Sequence, residues 1–362
     1  MSTTAPVIEE GPVAVLASEP ARLLDTPVAG GLSRRLLLRA AIVAIVVLFA
    51  GLQVPSLITS PYYLGIAADG IVLGILAIGI GFLAHRSGLI SLGHTAFYGS
   101  SAYGMAIATA HWGWGPMQAA LFAVVGGTLL ALVIGALVIR AGGFGFLMLT
   151  LAFAQALYQL SILTSVRSVT GAFDGIGLQY SADKTFFGLD QSELGAANTF
   201  WPVAWISLVV VAFGLWTVGR SRFGTVLEAI RENEERARFS GYNTYLPRLA
   251  AFGISGACAS LAGVLFALRA SFVSPDVLSF VTAGYSLIAA VVGGFTVLCG
   301  PVVGAILYIY AQGRFGDSGN LELYTGLALI GVLIFLPGGV TGFGMRGLQW
   351  VRARILSKGG RR

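Results

Sequence analysis

With 362 residues, 56% of them hydrophobic, and a mean hydropathy of +0.83, the chain carries more apolar surface than a soluble domain can hide. The formal net charge is +6, carried almost wholly by arginine, yet charged residues make up only 10% of the chain. Several apolar windows reach the roughly 20 residues that cross a hydrocarbon core, which excludes a soluble enzyme or a nucleic-acid-binding domain and defines a polytopic membrane protein.

Residues 1–33 mix Pro, Ala, Glu and Asp without sustained periodicity and read as a flexible cytoplasmic tail. Arg34, Arg35 and Arg39 then lead straight into a full-length apolar run with no small-residue cleavage site after it, so the segment does not read as a cleaved signal. Spans are expected at about 36–54, 62–84, 89–110, 117–139 and 144–165. A polar segment at 166–199 interrupts them, a span at 201–218 follows, and a charged stretch then occupies 219–248. Further spans are expected at 249–268, 283–298, 301–312 and 323–336, and a basic tail fills 346–362. The fold class is therefore all-α, with about ten transmembrane helices across residues 34–345, some of them short or broken. Glycine is the reason for the breaks: the third crossing and the pair around Gly300 are interrupted by it and can be broken or re-entrant. The 50 glycines also suit helices that approach closely through small faces.

The positive-inside rule orients the bundle. With the N-terminus in the cytoplasm and ten alternating spans, every Lys and Arg falls in a cytoplasmic segment except Arg167, Lys184, Arg269, Arg314 and the span-starting Arg39. Both tails and the charged stretch 219–248 come out cytoplasmic, and the acid-rich loop 166–199 comes out periplasmic.

Three membrane or outer stretches attract attention. GLISLGHTAFYGSSA, residues 88–102, packs hydroxyls, a histidine and two aromatics at membrane depth. His94 there either hydrogen-bonds across helices or lines a polar pathway, and Ser91, Ser100 and Ser101 either bond back to their own helix or face a solute. In VTGAFDGIGL, residues 169–178, the Thr-Gly and Asp-Gly pairs are turn chemistry, with Asp174 capping a turn or meeting a solute. Around 272–298, Pro275 stops a helix, Asp276 or Ser279 begins the next, and Gly293 with Gly294 forms a small-residue patch. Asp69 is the clearest intramembrane acid, the feature an ion-coupled transporter would need. Cys258 and Cys299 lie in apolar runs without metal or redox spacing. No GxxxxGK[ST] loop, HExxH or nucleophile elbow is present, so neither an enzyme activity nor a cofactor or metal is expected on this chain.

The charged stretch has a shape. Residues 223–237 read as one amphipathic helix, with Phe223, Leu227 and Ile230 on its apolar edge and Glu232 placed to pair with Arg236 four residues on. Gly241 follows where a helix ends at positive φ. Held between two spans, such a helix makes a docking lever.

AIRENEERARFSGYN resembles the cytoplasmic coupling loop of ABC importer permeases. Together GLISLGHTAFYGSSAYG, LTLAFAQALYQL, TGAFDGIGL and LPGGVTGFG resemble the LivM-type permeases of branched-chain amino-acid importers, over about residues 64–344. Two departures stand out: the family usually has a second Gly where Ala172 stands, and an Ala-Leu-Gly run where Arg238-Phe239-Ser240-Gly241 stands. The resemblance implies a bacterial inner-membrane subunit that pairs with a second homologous permease. It also implies two cytoplasmic ATPase subunits and an extracytoplasmic solute-binding protein as partners, and no nucleic acid. On this reading Ser91, Gly93, His94, Phe97 and Tyr98 belong to the translocation path, and Glu228, Arg231, Glu232 and Gly241 to the ATPase coupling surface. Thr170, Gly171, Asp174 and Gly175 form the outer loop. Urea and aromatic-acid permeases share the scaffold, so the solute stays open, and an ion-coupled secondary transporter is the alternative mechanism.

Overall fold

The structure is a computed structural model that describes residues 34–58, 60–180, 184–315 and part of 323–344. Up to residue 315 its helices are, in chain order, α1 (Arg34–Leu52), α2 (Val54–Leu57), α3 (Pro61–Ser87), α4 (His94–Ala110), α5 (Pro116–Val138), α6 (Gly143–Ile162) and α7 (Arg167–Thr170). They continue with α8 (Gln191–Gly195), α9 (Ala197–Arg220), α10 (Arg222–Glu232), α11 (Glu234–Phe239), α12 (Tyr245–Ala270), α13 (Phe280–Gly293) and α14 (Gly300–Phe315). The expected terminal segments 1–33 and 346–362 lie outside the described residues, and the expected last span is described only in part.

Two helices form the centre. α3 is apolar on every side, as a helix surrounded by others must be, and packs against α9, α12, α13 and α14. α12 packs against α3, α4 and α5. Small residues let the backbones meet: a Cβ added at Gly263 of α12 would lie 2.0 Å from the Tyr98 carbonyl oxygen of α4. The outer helices α1, α5, α6 and α9 leave apolar stripes uncovered. On α5 the stripe is Leu121, Val125, Leu129, Val133 and Leu137, spaced every four residues. Such a face is a liability in water and the required one against lipid.

Six helices among the described residues are long and apolar enough to cross a membrane, α1 (extended by α2), α3, α5, α6, α9 and α12. Of the other three expected crossings up to residue 315, α14 (Gly300–Phe315) covers its expected 301–312, and two differ from their predicted ranges. α4 begins at His94 instead of 89, because Gly88 ends α3 in the left-handed region at φ 71° and residues 89–93 form an irregular stretch. α13 stops at Gly293, since Gly294 takes φ 91°, and the chain turns before α14 starts at Gly300. At 1.5 Å per residue α13 is about 21 Å long, short of a hydrocarbon core of about 30 Å.

The interrupting segment 166–199 is also more ordered than a loop. It carries α7, α8 and a two-residue strand β1 (Ile176–Gly177), which pairs antiparallel with β2 (Phe272–Val273). This small ribbon departs from the all-α expectation, and strands of two residues leave no alternation to read. Asp190 caps α8 with Glu193 in a reciprocal capping box. α12 ends at Ser271, in the left-handed region, before the ribbon; Pro275 opens a 3₁₀ turn, and Ser279 caps α13 by accepting from the Thr282 N–H at 3.2 Å.

Candidate functional site

The stretch 222–242 folds as two helices, not the single helix expected over 223–237. Asn233 adopts extended backbone (φ −159°, ψ 103°), ends α10, and caps α11 by accepting from the Arg236 N–H at 2.8 Å. The break puts Glu232 and Arg236 on different helices, and the pair expected between them is replaced by others. Asparagine is a strong N-cap, so the Asn233-Glu234-Glu235 run carried a helix-start signal inside the charged stretch.

The apolar edge of α10 turns inward. Leu227 and Ile230 are fully buried and Phe223 packs against the core, so the helix docks on its own bundle with that face. Glu228 meets Arg86 at 3.3 Å, and Arg231 donates to the His85 carbonyl, both in the last turn of α3. That carbonyl is one of those an ending helix leaves without an internal partner, and a guanidinium suits the negative end of the dipole. Two of the four residues expected to touch an ATPase therefore tie α10 to the central helix. Glu232 stays exposed beside a groove of about 220 Å³ that Arg236, Ser240 and Tyr242 also line.

α11 is tied to α12. The Glu234 carboxylate accepts from Arg248 at 2.6 Å, Arg238 at 2.9 Å and Thr244 at 3.1 Å. Burial pushes this carboxyl up, but the guanidinium and hydroxyl donors, Arg248 first, outweigh it and hold it below its ordinary 4.5. Gly241 takes φ 82° after α11. Its N–H donates to the Arg238 carbonyl and the Tyr242 N–H to the Ala237 carbonyl, at 2.9 and 3.1 Å, the pattern of a Schellman turn. At the tip Phe239 is 91% exposed. Arg86, Glu234, Arg248 and Phe239 were not among the expected site residues. The partners of Arg86 and Arg248 are distant in sequence or on another helix, and only the Glu234–Arg238 spacing of four is visible in the chain itself.

At the opposite end of α3 lies a cavity of about 480 Å³. Asp69 and Arg269 meet on its wall at 3.4 Å, and Tyr98, Thr282 and Gln312 contribute polar edges. Of the five residues expected along a path, Tyr98 borders this cavity; Ser91, Gly93, His94 and Phe97 pack among helices instead. His94 is 1% exposed, and its Nε2 lies 2.5 Å from Ser255 Oγ. That hydroxyl commits its single proton to the Gly79 carbonyl at 2.7 Å, so the imidazole donates from Nε2 and links α4, α12 and α3. Phe97 stacks edge-on with Phe252 at 5.5 Å, and a Cβ at Gly93 would meet the Thr150 carbonyl oxygen at 2.7 Å.

The outer-loop residues build a turn. Gly171 and Gly175 both take positive φ, at 72° and 69°, and Ala172 between them takes 49°. Thr170 donates to the Ser161 carbonyl at 2.7 Å, and Asp174 pairs with Arg167 at 2.7 Å, both side chains largely exposed.

A bundle of lipid-facing helices around two buried ones, with a braced polar knuckle at one end and a charged cavity toward the other, is the architecture of a multi-pass membrane protein. Residues 62–337 match the family described as branched-chain amino acid transport system / permease component, and the chain belongs to that family of ABC transport permeases. Within it the chain is of the LivM type. It is 30% identical to the high-affinity branched-chain amino acid transport system permease protein LivM of Escherichia coli K12, over 74% of this chain and 67% of that protein. The LivM protein of Salmonella typhimurium LT2 is 27% identical over 76% of this chain and 69% of its own. The autoinducer 2 import system permease protein LsrC of Escherichia coli O9:H4 is 27% identical over 49% of this chain and 56% of its own. No solved structure matches. Membership makes this a multi-pass inner-membrane protein and a transport subunit.

Proposed function

We propose that this chain is one of two permease subunits of an ATP-driven importer for branched-chain amino acids, and that it forms half of the translocation path. The observation that carries the reading is the α10–α11 knuckle. One side of it is fixed to α3 and α12 by buried apolar side chains and ion pairs, while Phe239 and the groove beside it face outward. A rigid element with an exposed aromatic is what a moving ATPase subunit needs in order to push on helices instead of on a loop. The termini and the knuckle are cytoplasmic on the positive-inside count, and the β ribbon and outer loop face a solute-binding protein.

Similarity to LivM supports branched-chain amino acids as the solute. The LsrC relatives support a second reading, a different small solute on the same scaffold. Cellular uptake separates them: deletion of the gene is expected to abolish uptake of labelled L-leucine that L-isoleucine and L-valine compete. Unchanged leucine uptake in the deletion strain would refute the substrate.

A further inference from the structure

The Asp69–Arg269 cavity is not absorbed by the packing of the bundle, and its chemistry is specific. The Nε to Oδ1 distance of 3.4 Å is longer than the 2.7–2.9 Å of a tight charge-assisted pair. Arg269 is held by other partners: it donates to the carbonyl of Gly195, the last residue of α8, and its guanidinium lies 5.9 Å from the Phe200 ring. Gly65 of α3 leaves it room, since a Cβ there would stand 3.3 Å from Nη2. The cation is thus positioned from behind, while the Asp69 side chain is 47% exposed. The rest of the wall combines an apolar part, from Val72, Leu73, Phe266 and Ile309, with the polar edges of Tyr98, Thr282, Tyr285, Tyr308 and Gln312. The volume of about 480 Å³ falls inside the range of small-molecule sites, about 300–1,000 Å³.

The geometry points to a binding site on the permease itself for a zwitterionic α-amino acid with an aliphatic side chain, its carboxylate on Arg269 and its ammonium on Asp69. A zwitterion replaces one loose ion pair by two matched ones and leaves no charge unpaired. A carboxylic acid without the ammonium, or an amine without the carboxylate, leaves one protein charge unmatched in a partly desolvated cavity. The apolar part of the wall takes the aliphatic side chain. This rests on the amino-acid reading above and adds that the permease, not only a binding protein, selects.

The test uses the complete transporter in proteoliposomes, with Gln312→Cys at the cavity edge in a Cys299→Ser background and maleimide as the probe. L-leucine is expected to slow labelling of the cysteine, whereas isocaproate and isopentylamine do not. In parallel, Asp69→Asn and Arg269→Gln are expected to lower leucine uptake about tenfold or more, the loss typical of a charged hydrogen bond. Membrane insertion and assembly of the transporter should persist in both variants, which a folding defect would not allow. Labelling unaffected by L-leucine in a transporter that imports it overturns the site alone. A wild-type transporter that imports no α-amino acid overturns the amino-acid reading and the site with it. If either substitution prevents insertion, the labelling experiment, which leaves both charges in place, still decides.

Discussion

Glu234 is the charged joint between α11 and α12, meeting Arg248 and Thr244, and Glu234→Gln isolates its charge. The side chain is 31% exposed and Arg248 only 14%, so the pair lies between a surface bridge, worth about 0–1 kcal/mol, and a buried one, whose breakage costs about 3–5 kcal/mol. Glutamine keeps an acceptor for Thr244 but leaves the Arg248 guanidinium without its anion, which gives about 1–3 kcal/mol of local destabilisation. That corresponds to a roughly 5–150-fold rise in the open population of α11, read by hydrogen exchange at the amides of residues 236–242 in the assembled transporter. Since the Glu234 carboxyl titrates below its ordinary 4.5, the wild-type contribution is full above about pH 4.5 and is lost as the pH falls below it. The variant should show no such pH dependence. Uptake per ATP hydrolysed should fall while membrane insertion is unchanged. Equal exchange in wild type and variant would refute the claim that this carboxylate fixes the knuckle.

Three more outcomes are expected. Phe239→Ala removes an exposed aromatic and should weaken co-purification with the ATPase by about 2–4 kcal/mol if that side chain is an anchoring contact, without changing thermal stability. Ala172→Gly should raise the melting temperature in detergent, because an L-residue at φ 49° carries roughly 1–2 kcal/mol of strain that glycine does not. Gly263→Val should lower it, since its Cβ would sit 2.0 Å from the Tyr98 carbonyl oxygen and overpacking costs about 1–3 kcal/mol or more.

The long apolar helices were legible because twenty consecutive apolar residues have one use in a chain. α4 and α13 were less so: hydropathy continues through 89–93 and 294–298, and only backbone geometry at Gly88 and Gly294 shows where the helix stops. The knuckle was legible as a place and not as a mechanism. Its charges marked an exit from the bilayer, but Arg86 lies 142 residues before Glu228, and no local spacing announces that pair. His94 shows the converse. An intramembrane histidine beside serines reads equally as path or packing, and the choice depends on Ser255, 161 residues away, whose hydroxyl links it to Gly79. Asp69 read as a lone acid until α12 brought Arg269 to it. The Ala172 departure could be noted from the chain alone, while its cost required the backbone angle.

The most direct measurement is leucine uptake by the reconstituted transporter, with binding protein outside, this permease and its partner in the bilayer, and the ATPases facing ATP. Uptake is expected to require ATP hydrolysis, to persist when proton and sodium gradients are collapsed, and to vanish when this chain is omitted. Uptake driven by an ion gradient without ATP would contradict the account.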